Sequence, residues 1–411
     1  MNLSPVDSLL SIGLLLQVND GSKETSLALL LVWSIARLVK FAKGNCENKG
    51  FDSNRLYIIY LLIVSLLMIH FRTIIKHDDE HGITVFLLLF IGVVIGSGLS
   101  KHAWKTLLNW LSLVTALLSI TLLSFYEDKY EWMAISYRTT FNEGYGNINR
   151  LAIVLSLLTV ASWYAFRQAR FRSSKVLLLG STILGYLACL GTDSRMAAIS
   201  PLIGAIGSWG ITHRHSLFKI RKSYITLVIS AILISPFVII WKFVLSKDWS
   251  HGFAGDSTRL KIIRCWINAI FTGHNRFLYG FGHQKEKIME LCTDKLIGNM
   301  SAHAPGSPGH AHNTYAHIIG LHGIFGLIFI GIIGYLAFKS IKHYQSNTKL
   351  ISIRECPWGE CCTGLFITLF IDSLCTTIHV YNHSIQLLIG LFFGAIIARK
   401  ELQNNHTLDI K

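Results

Sequence analysis

The stretch "GITVFLLLFIGVVIGSGL", residues 82–99, carries no charged side chain. A helix needs about 20 predominantly apolar residues to cross the hydrocarbon core of a bilayer. Residues 82–99 approach that length, and "LYIIYLLIVSLLMI", residues 56–69, has the same character. Both stretches therefore predict membrane-spanning helices.

The composition of the whole chain supports the same interpretation. Of its 411 residues, 51% are hydrophobic and only 15% are charged, and the mean hydropathy is +0.46. Soluble domains carry about 25% charged residues. The sequence therefore predicts an all-α polytopic membrane protein. Residues 1–18 have neither a basic leader nor a small-residue cleavage site, so we expect them to be retained as the first helix.

Apolar stretches separated by polar ones predict twelve spans. They cover residues 6–18, 26–41, 56–75, 82–98, 104–125, 148–166, 176–191, 195–212, 223–244, 314–337, 360–379 and 384–398. The first nine spans belong to residues 1–244 and the last three to residues 314–398. A large hydrophilic loop occupies residues 245–313, and a short tail occupies residues 399–411. No internal repeat is visible, and we expect one integral membrane domain.

The net charge of +15 raises the question of a nucleic-acid partner, but the basic residues cluster between the apolar spans. Cytoplasmic loops of membrane proteins carry an excess of Lys and Arg. With a cytoplasmic N-terminus, the inner loops and the C-terminal tail hold 22 of the 38 basic residues, and the short outer loops hold 7. This bias predicts cytoplasmic termini and an outer location for residues 245–313, and it argues against nucleic acid as a partner.

The large loop has a helical pattern of its own. "DSTRLKIIRCWINAIF", residues 256–271, opens with a capping-type Asp-Ser-Thr, and "QKEKIMELCTDKLIGNM", residues 284–300, is also amphipathic. In the first stretch the residues at helical spacing are Leu260, Ile263, Ile267 and Ile270. We expect two short helices that lie over the outer membrane face and do not form a separate globular domain.

The eight cysteines show no CxxC pair and no zinc-like spacing. Six of them lie in or next to predicted spans, where a small apolar side chain is the simplest interpretation. Cys265 and Cys292 share the large loop, and the sequence leaves open whether they are bonded. Motifs for nucleotides, dinucleotides, zinc proteases and serine hydrolases are absent from the sequence. We therefore expect no metal and no cofactor.

Two arginines are candidates for binding an anion at the outer face. Arg195, in "GTDSRMAAIS", starts the eighth span after an outer turn, and Arg259 lies in the first turn of the first loop helix. A guanidinium matches phosphate oxygens bidentately, and a helix N-terminus adds to the attraction. Taken together, the two arginines are suited to clamp a pyrophosphate. The alternatives are an interfacial anchor at Arg195 and a solvated basic face at Arg259.

"HNTYAHIIGLHGIFG", residues 312–326, opens the tenth span. His312 lies at its lip and titrates near neutral pH, as a general base should, although an interfacial histidine is the alternative. Asn313 follows it directly. Three glycines at positions 320, 323 and 326 are expected to remove side chains near one side of the helix and to allow close packing.

A carboxylate also lies inside a predicted span. Asp372 is seven residues from the outer end of the eleventh span, or roughly 10 Å deep at helical rise. A buried carboxylate without a partner is costly. His322, at a comparable depth in the tenth span, is the partner that we predict.

These motifs together resemble those of the O-antigen ligases. Residues 312–326 fit the family pattern His-(Asn/Ser/Gln)-x9-Gly-x2-Gly, and "GTDSR" resembles its Ser-Arg element at an outer turn. "DSTRLKIIRCW" resembles the Ser-(Gly/Thr)-Arg…Trp element, which is followed here by a Gly-x-Gly at Gly280 and Gly282. The resemblance covers roughly residues 190–335, and the rest of the chain agrees only in hydropathy and in the number of spans.

The resemblance implies a metal-independent glycosyltransferase of the GT-C type. Such ligases move a finished O-antigen glycan from undecaprenyl diphosphate onto a sugar of the lipid A–core, at the periplasmic face of the bacterial inner membrane. It also implies that Arg195 and Arg259 bind the diphosphate and that His312 lies near the acceptor hydroxyl. Asn313, Gly323 and Gly326 would be supporting residues.

Two other functions remain open. An O-antigen polymerase uses the same donor with a glycan acceptor, and the histidine motif favours the ligase over it. A flippase or other transporter of lipid-linked sugars is expected to line a path from both sides with charges, often with internal repeats. In this sequence the unusual residues gather at the predicted outer face, which argues against transport.

Overall fold

The computed structural model describes residues 5–16, 23–42, 80–99, 101–124, 148–192, 194–217, 262–282, 285–292, 311, 313–347, 358–375 and 383–397. Every regular element in these residues is helical. The helices are α1 Pro5–Leu16, α2 Lys23–Ala42, α3 Glu80–Gly98, α4 Lys101–Ser124, α5 Ile148–Gln168, α6 Arg172–Gly191, α7 Arg195–Leu217, α8 Ile262–Thr272, α9 His274–Tyr279, α10 Lys285–Cys292, α11 Thr314–Asn347, α12 Trp358–Cys375 and α13 His383–Ile397. The chain divides into two compact units, Met1–Ser208 with Ile328–Lys411, and Trp209–Leu327.

The helix bounds follow the hydropathy of the sequence. Ten of the twelve predicted spans coincide with described helices, and the other two, 56–75 and 223–244, lie outside the described residues. Within the described residues, four segments are long and apolar enough to cross a membrane: His102–Leu123, Leu151–Gln168, Arg172–Gly191 and Thr314–Ile332. The all-helical prediction is confirmed for the described residues, whereas the full set of twelve spans stays a prediction.

In the first unit, α3 and α13 are in direct backbone contact. Gly92 and Gly96 on α3 face Gly390 and Gly394 on α13, so that each helix presents a Gly-x3-Gly pair to the other. A Cβ added at Gly92 would lie 2.6 Å from the carbonyl oxygen of Leu387. Small residues four apart lie on one helix face and allow such close approach in membranes. The contacts advance in the same direction along both helices, so α3 and α13 are parallel.

Two other helix pairs in this unit are antiparallel. On α1 and α2, Ser26 Oγ donates to Gly13 O over 2.7 Å near the connection between the helices. Arg37 pairs with Asp7 farther from that connection. On α7 and α12, contacts run from Ser200 with Thr368 to Ser208 with Gly364. The direction of each pair bears on the course of the chain through a membrane.

The described part of the first unit contains two ion pairs with buried carboxylates. Arg37 and Trp33 of α2 both donate to Oδ1 of Asp7 on α1, the indole nitrogen over 3.1 Å. Arg167 near the end of α5 pairs with Glu360 at the start of α12. The carboxylates are 0% and 1% exposed. A buried charge needs its partner, so each pair ties two helices together in a fixed register.

The second unit has its own small hydrophobic cluster, formed by α8, α10, the start of α11 and the loop after α9. Its buried members are Ile262, Cys265, Trp266, Ala269, Phe281, Ile288, Cys292, Ala311, Ala316 and Leu321. A disulfide between Cys265 and Cys292 joins α8 to α10, with 5.8 Å between the Cα atoms. The two loop helices therefore share a core, and their relation to a membrane face stays a prediction.

The buried face of α8 agrees only in part with the predicted one, since Ile270 is buried as predicted. Ile263 and Ile267 are only partly buried, and Leu260 lies outside the described residues. The fully buried positions are Ile262, Cys265, Trp266, Ala269 and Ile270. The disulfide and the large indole, which hydropathy counts weakly, turn the helix by about one residue from the face that the isoleucines predict.

Candidate functional site

The start of α11 is capped by the asparagine of the histidine motif. Asn313 Oδ1 accepts a hydrogen bond from the amide of Ala316 over 2.9 Å, and Asn313 O accepts one from the amide of His317 over 3.0 Å. An N-cap side chain satisfies an amide that has no partner within the helix. The motif position after the histidine is thus the residue that fixes where α11 begins.

Helix α11 is interrupted at Gly323. This residue has φ 59° and ψ −139°, inside an otherwise helical run from Thr314 to Asn347. Side-chain-bearing residues rarely adopt such a φ, and a Cβ there would lie 2.5 Å from Phe277 O and 2.7 Å from Gly280 N. Gly323 therefore divides α11 into a first half, residues 314–322, and a second half that follows the break.

The loop after α9 fills the break. Phe281 N donates to Gly320 O over 3.1 Å, and Gly282 N donates to Leu321 O over 2.7 Å. These carbonyls belong to the last turn of the first half, where the helix no longer supplies donors. The loop has positive φ at Gly280 and Gly282, 67° and 60°. The Gly-x-Gly element and the histidine motif thus meet in one backbone structure, although 30 residues separate Gly282 from His312 in the sequence.

The three glycines of the histidine motif do not form the single packing face that was predicted. Gly323 breaks the helix, and Gly326 approaches the preceding half so closely that a Cβ would lie 2.6 Å from Ile318 O. Gly320 and Gly323 both allow another helix to approach closely, as predicted, Gly323 against α9. A Cβ at Gly320 would lie 2.7 Å from Cε3 of Trp266 on α8 and 3.5 Å from Cδ1 of Ile288 on α10.

The indole of Trp266 also stacks on His317. The two rings are 4.7 Å apart between centroids and inclined by 30°, and both side chains are buried. Trp266 directly follows Cys265, which the disulfide ties to α10. The first half of α11 thus packs on α8, where Trp266 contacts His317 and Gly320, and on α10.

Two of the predicted site residues, His312 and Arg259, lie outside the described residues. Their neighbours in the sequence are described. Ala311, directly before His312, and Ile262, three residues after Arg259, are both 0% exposed and belong to the same hydrophobic cluster. The second unit therefore brings together the chain segments that flank these two residues.

Arg195 begins α7, as predicted, although its side chain lies outside the described residues. The turn before it is short, because α6 ends at Gly191. Thr192 Oγ1 donates to Cys189 O over 2.8 Å, and Ala198 N donates to Ser194 O over 3.1 Å. These bonds close α6 and open α7 within a few residues.

Asp372 is buried on α12, and Ser156 of α5 donates to its Oδ2 over 2.6 Å. His322 is buried just before the break in α11. The predicted pairing of Asp372 with His322 stays a prediction. The serine contact was not predicted, because nothing in the spacing of Ser156 and Asp372, 216 residues apart, indicates that α5 and α12 are neighbours.

Sequence reasoning also missed the contact between α3 and α13 and the pair of Arg167 with Glu360. The signal for the first was present, since Gly-x3-Gly occurs at 92–96 and again at 390–394. The part of the chain that the structure describes contains no group of three or more His, Cys, Asp or Glu placed to hold a metal ion.

Comparison with known proteins adds no family assignment. No protein-family model matches the chain, and a search of the curated proteins finds no match. The functional interpretation therefore rests on the residues and their geometry.

Proposed function

We propose that the protein is an O-antigen ligase, which transfers an O-antigen glycan from undecaprenyl diphosphate to a sugar of the lipid A–core at the periplasmic face of the inner membrane. The observation that carries the proposal is the convergence of the motif residues. Asn313 caps α11, Gly323 breaks it, and Gly280 and Gly282 form the loop that bonds to the break. Each of these positions has a conformational role that its residue type fits, which supports the motif match.

The directions of the helices support the proposed topology of twelve spans. In that topology α3 and α13 are the fourth and twelfth spans and run the same way, as their glycine contacts do. Since α7 and α12 are antiparallel, the proposed topology has the end of α7 and the start of α12 on the same side of the membrane. A chain that starts and ends on one side must cross the membrane an even number of times. In the proposed topology α11 is one crossing and the predicted span 223–244 is the other.

The disulfide supports an extracytoplasmic location for residues 245–313. Cys265 and Cys292 are bonded, and structural disulfides persist in the periplasm but are rare in the reducing cytoplasm. This agrees with the excess of Lys and Arg in the loops on the opposite side. Both observations support the proposal that His312 and Arg259 lie on the outer side and both termini in the cytoplasm.

The positions of the basic residues favour an anionic donor. Arg195 is the first residue of α7, and His312 directly precedes the N-cap of α11. The Arg195 guanidinium at a helix N-terminus adds to the positive end of the helix dipole, which is unfavourable until an anion binds there. A diphosphate there would be held by the bidentate guanidinium together with the positive end of the helix dipole.

In the proposed reaction the hydroxyl oxygen of the acceptor sugar forms a bond to the anomeric carbon of the donor. The bond between that carbon and the diphosphate oxygen breaks, and its electron pair leaves with undecaprenyl diphosphate. His312 takes the hydroxyl proton, and Arg195 and Arg259 stabilise the charge that develops on the leaving group. Because the donor already stores the required free energy, the reaction needs no nucleotide.

Deletion of the gene tests the proposal in its own cell. Loss of a ligase leaves bare lipid A–core together with long polymer on the lipid carrier, as seen by gel electrophoresis of lipopolysaccharide and by analysis of the carrier lipids. Plasmid-borne wild type and the surface variant His274→Ala should both restore the ladder. A single repeat attached to the core would instead identify a polymerase, and an unchanged ladder would contradict both.

A further inference from the structure

Trp266 is placed unlike an ordinary core residue of α8. It is 0% exposed, and its recorded contacts reach another helix, with the His317 ring at 4.7 Å and the indole edge over Gly320. Glycine is the only residue that leaves room there, since a Cβ would lie 2.7 Å from Cε3 of the indole. The contact therefore fixes the distance between α8 and the first half of α11.

The support beneath this contact is rigid. Cys265, next to Trp266, is bonded to Cys292 at the end of α10, and Ile288 of α10 covers Gly320 from a second side. The disulfide thus links the two helices on which Gly320 rests. Rotation or sliding of α8 under α11 would have to move α10 as well.

The first half of α11 is also fixed at both ends. Asn313 caps its start, and the amides of Phe281 and Gly282 bind the carbonyls at its end. Trp266 packs between these two points, against residues 317 and 320. A ten-residue segment is thereby held at its start, its middle and its end, and His312 directly precedes it.

We propose that Trp266 is a positioning residue for glycan transfer, which sets the place of the α11 N-terminus and with it the place of His312. This inference rests on the proposed function. A misplacement of a catalytic group by about 1 Å costs up to roughly 10²-fold in rate, without a comparable loss of substrate binding. The contact between Trp266 and Gly320 determines this position, because a change in side-chain volume at either residue alters the spacing between α8 and α11.

The test uses purified protein in detergent, with lipid-linked glycan as donor and lipid A–core as acceptor. Trp266→Leu should lower kcat by about 10-fold or more, while KM for the donor changes less than about 2-fold. Gly320→Ala should lower kcat as well, and the double variant Gly320→Ala with Trp266→Phe should recover part of it, since the smaller ring leaves room for the methyl. Ile267→Ala, on the same helix but only partly buried, is the control and should keep the wild-type kcat.

A second readout does not depend on transfer. The variant His312→Cys is labelled with a membrane-impermeant maleimide, and its rate is compared with and without Trp266→Leu. We expect the rate to change several-fold with Trp266→Leu and to stay the same with Ile267→Ala. If labelling responds in this way but the wild type transfers no glycan, the positioning role stands and the proposed function fails. If the wild type transfers glycan and Trp266→Leu changes neither kcat nor labelling, Trp266 is a core residue only.

Discussion

Glycines have opposite effects on helix continuity in two regions of this molecule. Between α3 and α13, Gly92, Gly96 and their partners keep helical backbone and let two uninterrupted helices touch. In α11, Gly323 leaves the helical conformation, and amides of the loop after α9 bond to carbonyls of the turn that precedes it. The spacing separates the two cases: four residues apart keeps glycines on one face, whereas the motif of α11 places them three apart around a break. The glycines of α3 and α13 allow two helices to pack closely, whereas the break at Gly323 joins the candidate site's loop to α11.

The sharpest way to break this comparison is Gly323→Ala. The variant meets a positive φ and a Cβ 2.5 Å from Phe277 O, so strain of about 1–3 kcal/mol adds to a backbone clash. We expect little folded protein in a thermal-unfolding assay in detergent and no transfer by what remains. Gly331→Ala, on the same helix with open space around it, should behave as wild type. Normal folding of Gly323→Ala would mean that the helix is not interrupted there.

Removal of the disulfide should have the next largest effect, confined to the site region. A disulfide that closes a loop of 27 residues contributes about 3 kcal/mol, mainly by restricting the unfolded chain. Cys265→Ser with Cys292→Ser should therefore lower the unfolding temperature and weaken transfer. Treatment of the wild type with a reductant is the matching measurement. The same reductant should leave the double variant unchanged, and any further loss of stability there would point to another cysteine pair.

The contact between α3 and α13 gives a smaller effect of a different kind. Gly96→Ala places a methyl against the carbonyl of Leu391 and pushes the helices apart, at a cost of about 1–3 kcal/mol. Abundance and unfolding temperature should fall, yet the transfer per folded molecule should stay normal. Gly180→Ala, with nothing near its added methyl, is the control. Loss of specific activity without loss of stability would instead connect this contact to the site.

Asn313→Ala should have the smallest effect on stability. The N-cap hydrogen bond to Ala316 contributes about 1 kcal/mol, and Asn313→Ser keeps an acceptor in place. The alanine variant should lower the unfolding temperature only slightly. It should reduce the rate of transfer by a larger factor, because it frays the turn next to His312. Equal behaviour of the serine and alanine variants would show that the cap is not what the motif position requires.

The helices were predictable from sequence because hydropathy is a local property, and the predicted spans agree with the helices wherever residues are described. The break at Gly323 was not, since it depends on amides at residues 281 and 282 that approach only in the folded chain. The buried face of α8 was misjudged because a disulfide and one tryptophan outweigh two isoleucines. Sequence reasoning therefore singled out glycines that the structure brings together with a distant loop, but it assigned them a simpler role than they have.

The central claim is that this protein transfers glycan with His312 as the base. Its most direct test is transfer by purified protein from undecaprenyl-diphosphate-linked glycan to lipid A–core, measured as product and as released undecaprenyl diphosphate in equal amounts. We expect transfer by the wild type and a loss of about 10² to 10⁴ in rate for His312→Ala, with unchanged folding. No transfer by the folded wild type, or equal rates for the two proteins, would contradict the claim.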